Sequence, residues 1–458
     1  MTSLGAKWQV GVARRNITPP PGVELAGLGY YLNRTWTNIR DSLNATALVV
    51  ANAKGEGVAW VALDLMYNDA GFTRAVRTRV AACTPLLPDS VCVNCSHSHS
   101  APTAGLILGA GERNEDYLRS AARAAADTVE AAWKSLQPAV LRVGSSELTG
   151  MTFNRTRENG LVDPTVSVLR ADTVDGRPLA VAVNFHAHCI AHLETDLFAV
   201  TRDWPGEVVD QIEATLPGAI ALYLQGTCGD VNFRRELNGT ARRFEPAQAL
   251  TRVALAAWQT SRPVEASGIA AVTRDLDLPT RRWTREEISR DREEGMYRIK
   301  TGDTTGWRDG IARVCVNQPE RLPLRYGGST ERAAAAVARF AVEWTDRILP
   351  EWETRPELLP TEVQAIRIGD VYCCAYPAEL FTSLGLEVRR QWNRRDLFML
   401  GFSNGSIGYL PDAHDVALHS YAAIQSPKCT GQFPFTADSG TAMVDGLLAT
   451  LGQVADAG

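Results

Sequence analysis

Apolar, β-branched runs alternate with helical patterns through the first half of the chain, the mark of a sheet flanked by helices. The runs GVAWVALDL (57–65), VCVNC (91–95), LAVAVNFHA (179–187) and AIALYLQG (219–226) predict buried strands. Between them, 72–83 and 115–135 predict amphipathic helices, and in the second Leu118, Ala122, Ala125 and Val129 recur at helical spacing. This order predicts an α/β fold, a mixed β-sheet core flanked by helices, with strand order left open. Further on, WTREEISRDREEGMYRIKTGDTTGWRDG is dense in charge and poor in apolar residues, as a solvated helix and loop would be. A helix over 331–348 follows, then strands 363–369 and 371–376 joined at the turn-forming pair Gly369-Asp370. The charged stretch, about 276–350, reads as an insertion into one core, so residues 1–458 are expected to form a single domain.

Composition narrows the function classes. The chain has 458 residues, 45% hydrophobic and 22% charged, which excludes a disordered, collagen-like or heptad-repeat protein. A net charge of −5, from 47 basic and 52 acidic residues, offers no basic face for nucleic acid or anionic lipid. No stretch approaches ~18 uncharged apolar residues, and MTSLGAKWQVGVARRN lacks the apolar segment of a signal peptide. The expectation is a cytoplasmic chain with a small-molecule substrate and no stable membrane association, a monomer or a homo-oligomer. Nine scattered cysteines, with Cys92 and Cys95 the one CxxC, predict reduced and mostly buried thiols.

The chemistry concentrates in the histidines. Five of the seven fall in two windows, His97 and His99 in CSHSHSAP and His186, His188 and His192 in NFHAHCIAH. In extended backbone, residues i and i+2 share a face, so each His-x-His presents two imidazoles at the end of a predicted strand. A lone pair of this kind is as readily a set of hydrogen-bonded histidines. Two such pairs, each closing a strand, point to a metal, and imidazole with one carboxylate suits zinc.

Seven segments, in order, are similar to the N-terminal catalytic domain of neutral, non-lysosomal ceramidases: TPPPGVELAGLGY, CSHSHSAP, NRTRENGLVDPTVSVLRAD, FHAHC with TRDWPG, LQGTCGDVNF, YPAELFTSLG and GFSNGSIGYLP. The resemblance runs from about residue 8 to 425. It implies one zinc ion on His97, His188, Glu379 and Tyr409, with His99 beside the site and His186 behind the ligands. It gives Arg155, in Asn154-Arg155, a substrate contact, and Asp230 a place in the Gly-Asp-Val core. Asp203 is expected to cap the helix that follows it. Glu379, after a proline, is expected in a first helical turn, where the helix dipole favours a carboxylate. The chain departs from the resemblance in having Gly226 where a catalytic serine is expected, and no immunoglobulin-like C-terminal domain. Cys228 is expected to be buried packing, and His414 and His419 to lie at the mouth of the site or in a surface loop.

These features imply a zinc-dependent hydrolase that cleaves a C–N amide bond of a small or medium, polar substrate with a zinc-activated water. Arg155 or a backbone amide near Gly226 would assist the oxyanion, and His99 would deliver a proton to the leaving amine. Two alternatives stand beside it: a zinc enzyme acting on an ester, lactone or glycosidic bond, favoured by Gly226, and a non-catalytic, zinc-stabilised binding protein.

Overall fold

The computed structural model describes residues 7–457 except 32, 194, 238–240 and 395. Its centre is a nine-stranded mixed sheet in the order Ile220–Gln225, Pro178–Phe185, Thr165–Thr173, Gln137–Glu147, Trp8–Asn16, Asn44–Asn52, Gly57–Leu63 and Val91–Cys95, with Arg262–Pro263 pairing Gln137–Glu147. The two outermost pairs are parallel and the inner ones antiparallel. A second sheet, Ile269–Pro279, Leu358–Ile368, Val371–Ala375 and Leu397–Leu400, packs on one face of the first.

The period of two in a strand decides which layer each side chain meets. In Gly57–Leu63, Ala59, Val61 and Leu63 face the helices Ala70–Cys83 and Glu115–Lys134, while Val58, Trp60 and Ala62 face the second sheet. The helices Asp203–Thr215 and Glu245–Gln259 cover the other half of the large sheet, and Ser439–Asp456 covers the outer face of the small one. The result is the expected mixed sheet flanked by helices, layered helix, sheet, sheet, helix.

Three fully buried amides tie strand ends of the two sheets together, in part across strands that share no ladder. Asn94 donates to the Gln225 and Gly401 carbonyls at 3.2 and 2.6 Å and accepts from the Gln225 N–H at 2.9 Å. Asn184 donates to the Leu224 and Met399 carbonyls at 2.9 and 3.0 Å, and Gln225 reaches the Ala187 carbonyl at 2.8 Å. Losing any one strands a buried backbone group, at about 1–3 kcal/mol. These amides bring the C-terminal ends of Val91–Cys95, Pro178–Phe185, Ile220–Gln225 and Leu397–Leu400 to one place.

The charged stretch lies between Ile269–Pro279 and Leu358–Ile368, which pair with Pro279 opposite Leu358. Its helices Arg285–Thr301 and Thr330–Ile348 pack on each other around Trp283, Trp307 and Trp344. Eight cysteines are buried, Cys228 among them, and Cys83 is exposed; all nine are unpaired. No helix among the described residues is long and apolar enough to cross a membrane.

Candidate metal centre

Each side chain of the site leaves a strand end at a point tied to another strand. Beyond Cys95, the His97 N–H donates to the Leu65 carbonyl at 3.0 Å and the His99 N–H to Cys189 at 3.4 Å, which lays the two His-x-His loops side by side. His97 sits at φ 63, a conformation uncommon for residues other than glycine, and its ring stacks on Phe402 at 4.1 Å. Glu379 and Tyr409 come from opposite strands of a short parallel pair, Glu379–Leu380 with Tyr409–Leu410, and face each other in register. Glu379 is therefore extended and not in a helical turn. The helix starts three residues later, at Thr382, because the Glu379 N–H is committed to the Gly408 carbonyl at 2.9 Å.

Hydrogen bonds to carbonyls set the tautomers. Nδ1 of His97 meets the Met66 carbonyl at 3.2 Å, that of His99 the Gly27 carbonyl at 2.8 Å, and that of His188 the Val231 carbonyl at 3.3 Å. A carbonyl only accepts, so each Nδ1 carries the proton and each Nε2 presents a lone pair. Gly27, at φ 88, is needed here, since a Cβ would lie 2.6 Å from His99 Nδ1.

The lone pairs converge. His97 Nε2 lies 3.2 Å from His99 Nε2, and Glu379 Oε2 lies 3.0 Å from His188 Nε2 and 3.4 Å from His97 Nε2. Tyr409 Oη is 3.3 Å from His188 Nε2. Donors held 2.0–2.2 Å from a tetrahedral metal stand about 3.3–3.6 Å apart. One donor atom from each of His97, His99 and His188 falls within 4.8 Å of the others, so the three form a group that can hold a metal. Three imidazole lone pairs and a carboxylate facing one another share no proton, and a cation satisfies all of them. The residues present fit zinc.

Electrostatics keeps the imidazoles and the carboxylate in ligand form and leaves the Tyr409 phenol protonated. Burial, with Arg155 beside it, lowers the His188 imidazole to about 4, and burial beside His97 and His188 holds His99 well below the usual imidazole range. Burial opposes ionisation of Glu379, but the His97 and His188 rings outweigh it and hold the carboxyl well below its usual range. Burial drives the Tyr409 phenol up against the pull of Arg155. Burial also opposes the charge on Arg155, yet Tyr409 and Glu379 keep it protonated. Arg155 Nη2 donates to Tyr409 Oη at 2.5 Å and to the Gly229 carbonyl at 2.8 Å, and lies 3.3 Å from His188 Nε2.

Other expected residues stand apart from this cluster. The strand ends at Phe185, so His186 and His188 do not share a face: His186 Nδ1 accepts from the Thr227 N–H at 2.9 Å, and its Nε2 lies 3.2 Å from Arg389 and 3.4 Å from Asp163. Gly226 packs on that same His186 ring, which occupies the space a Cβ would need, so its missing side chain does not widen the metal centre. The Asp230 carboxylate is taken up by Asn154 at 2.6 Å and by the Thr382 N–H and hydroxyl at 2.8 and 2.7 Å, while its carbonyl holds the Arg155 N–H at 2.8 Å. Asp203 is the first helical residue and not the cap, at φ 57; its carboxylate binds the Ala191 and His192 N–H groups at 3.0 and 2.9 Å, which fixes the loop after His188. His414 and His419 are exposed. Tyr67, absent from the sequence reading, donates to Glu379 Oε1 and sets its ring 5.1 Å from that of His97. A lone tyrosine in a loop 312 residues from its partner leaves no local sequence signal.

No protein-family model matches the chain. It is 36% identical over 105 residues to the neutral ceramidase of Drosophila pseudoobscura pseudoobscura and 34% identical over 107 residues to that of Drosophila melanogaster. These matches span 22% and 23% of this chain and 15% of each curated relative. The crystal structure of neutral ceramidase from Pseudomonas aeruginosa superposes with a TM-score of 0.71 at 18% identity, over 98% of this chain and 75% of that one. A ceramidase complexed with C2 gives 0.70 at 17% identity, over 99% and 76%. The chain is thus neutral ceramidase-like, in fold along nearly its whole length and in sequence over somewhat less than a quarter of it.

Proposed function

We propose that the protein is a zinc-dependent hydrolase of the neutral-ceramidase type that cleaves a C–N amide bond in a small or medium, polar substrate. The observation that carries this reading is the convergence of the His97 and His188 Nε2 lone pairs on the Glu379 carboxylate, with His99 Nε2 beside that of His97 and each imidazole locked by a carbonyl at Nδ1. His97, His188, Glu379 and Tyr409 would hold the metal. Bound zinc supplies Lewis acidity for the substrate carbonyl and a nucleophilic water near neutral pH.

The chain's own groups do the rest. Arg155, charged and fixed by Gly229 and Tyr409, offers N–H donors to the oxygen that gains negative charge as the carbonyl is attacked. His99 turns a free Nε2 into the cluster and takes up the proton released by water. Its depressed affinity for that proton favours handing it to the leaving nitrogen. Asp230 places Arg155 through the backbone, and Tyr67 orients Glu379. The ester, lactone or glycoside alternative drew on Gly226, which packs on His186, so the amide reading stands first.

Metal content by plasma mass spectrometry, on wild type, His97→Ala and His188→Ala, tests the centre. About one zinc per chain in wild type and none in the variants is expected. A panel of matched amides and esters then tests the bond, with amide turnover expected; hydrolysis of the esters alone overturns the amide assignment.

A further inference from the structure

A cavity of about 510 Å³ opens where the charged stretch meets the C-terminal loops, and irregular backbone walls it. Two π-helical turns line it, Arg308–Ala312, kinked at Gly310, and Tyr421–Gln425, and Gln318 beside them sits at φ 56. Such turns, and left-handed backbone at residues other than glycine, concentrate at functional sites. The cavity also adjoins the metal centre through one side chain. Tyr421 walls it and packs edge-on against Tyr409 at 5.6 Å, and Tyr409 Oη lies 3.3 Å from His188 Nε2.

The lining fits one kind of ligand. Arg308 and Arg313 share the cavity with Asp309 and Glu320, and no salt bridge among the described residues engages any of the four. Two positive and two negative charges cancel, so the cavity selects neither an anion nor a cation, yet it offers N–H donors and carboxylate acceptors together. Gln425 adds an acceptor still to be met: its Nε2 donates to the Arg313 carbonyl at 2.6 Å, while its Oε1 is buried without a partner. A hydroxyl donates and accepts at one atom, so a neutral, polyhydroxylated ligand satisfies both sets of groups. The Tyr421 ring gives the C–H groups of such a ligand an apolar surface, and the volume lies within the roughly 300–1,000 Å³ of small-molecule sites.

We propose that the substrate is an N-acylated amino sugar, its amide at the metal centre and its ring hydroxyls in this cavity, against Gln425, Glu320 and the two arginines. The proposal rests on the metal-centre reading for the bond that is cut, and the test separates the two. Ligand-observed NMR titrations of the zinc-loaded protein compare N-acetylglucosamine and N-acetylgalactosamine with N-ethylacetamide, which has the amide and no hydroxyl, and with N-acetylglycine, which has the amide and a charge. At least one sugar is expected to bind roughly tenfold more tightly than either comparison compound. Gln425→Leu is expected to erase roughly that tenfold, and Glu320→Gln, at an exposed position, to remove part of it. Thermal melts confirm that both variants fold. Equal affinity for the sugars and N-ethylacetamide, equally tight binding of N-acetylglycine, or a sugar preference that survives both substitutions overturns the proposal. Zinc content measured on the same samples tells the two readings apart. A sugar preference without bound zinc overturns the metal-centre reading and leaves the cavity assignment, whereas bound zinc without a sugar preference overturns the cavity assignment alone.

Discussion

Two clusters of buried polar groups lie in different parts of this molecule, and they differ in whether they are complete. In the helical region, Lys428 and Asp291 have fully buried side chains; Nζ reaches Asp291 Oδ2 at 2.5 Å and the Val314 carbonyl at 2.7 Å, above the rings of Trp344 and Trp283 at 5.0 and 5.5 Å. Asp291 Oδ1 accepts from Arg290 at 2.7 and 2.9 Å. Charge meets charge there, and the buried ammonium has its acceptors. At the metal centre, His97, His188 and Glu379 are equally enclosed and His99 is half-buried, but they turn acceptors toward acceptors. The first cluster is a finished structural element, and the second is one that a cation can complete.

The largest expected effect follows from that asymmetry. Removing a donor from the open cluster, by His188→Ala, is expected to lower zinc affinity by more than the 10- to 100-fold typical of losing a residue that only supports a ligand, and to end turnover. A zinc titration with a competing chelator measures it. The fold should tolerate the change, because His97 and Arg155 remain to favour the charge on Glu379. Unaltered zinc affinity would place the metal elsewhere.

In the closed cluster, the same kind of truncation should act on stability instead. Asp291→Ala leaves Lys428 buried and unpaired, at about 3–5 kcal/mol, with zinc content per folded chain unchanged. Replacing both partners, Lys428→Met with Asp291→Leu, should recover most of the loss. Urea unfolding of the three proteins gives the comparison, and a double variant no better than the single one would mean that the pair does more than neutralise itself.

Asp64, half-buried, shows a third solution, a charge removed by a proton. Burial pushes its carboxyl up to about 7, against the pull of Arg202. A folded pKa above the unfolded value of about 3.9 means that its contribution is complete below pH 4 and is lost as pH rises through 7. The difference in unfolding free energy between wild type and Asp64→Asn should therefore move against wild type by about 2 kcal/mol between pH 5 and pH 8. A difference that does not vary with pH would show the carboxyl already ionised in the folded protein.

What was legible in the sequence follows the same physics. Strands sealed between two layers, such as Val91–Cys95 and Pro178–Phe185, read as apolar runs interrupted only by Asn94 and Asn184, and the structure has them within a residue or two of the expected bounds. The partly exposed Gln137–Glu147 and Ile269–Pro279 mix polar and apolar positions, and Leu397–Leu400 is too short to show a period. The histidine loops stood out because imidazoles are scarce in this chain. Which of them point inward was not legible, since that turns on where the strand ends: Phe185 closes it, His186 swings to Thr227 and Asp163, and His188 alone reaches the centre. Glu379 and Tyr409 owe their meeting to a two-residue parallel pairing that no local pattern encodes.

The smallest predicted effect concerns the residue that the sequence concealed. Tyr67 donates to Glu379 Oε1 and leaves Oε2 toward His188 and His97, so its hydroxyl decides which carboxylate oxygen faces the imidazoles. Burial beside Glu379 drives the phenol well above its usual range, so it remains a donor at any pH where the protein is folded. Tyr67→Phe preserves the ring beside His97 and Phe402 and removes only that bond. Zinc affinity is expected to fall by roughly 10- to 100-fold while the melting temperature of the metal-free protein hardly changes. A large loss of metal-free stability with zinc affinity intact would make Tyr67 part of the closed core, like Lys428, and shift the boundary between the two kinds of cluster by one residue.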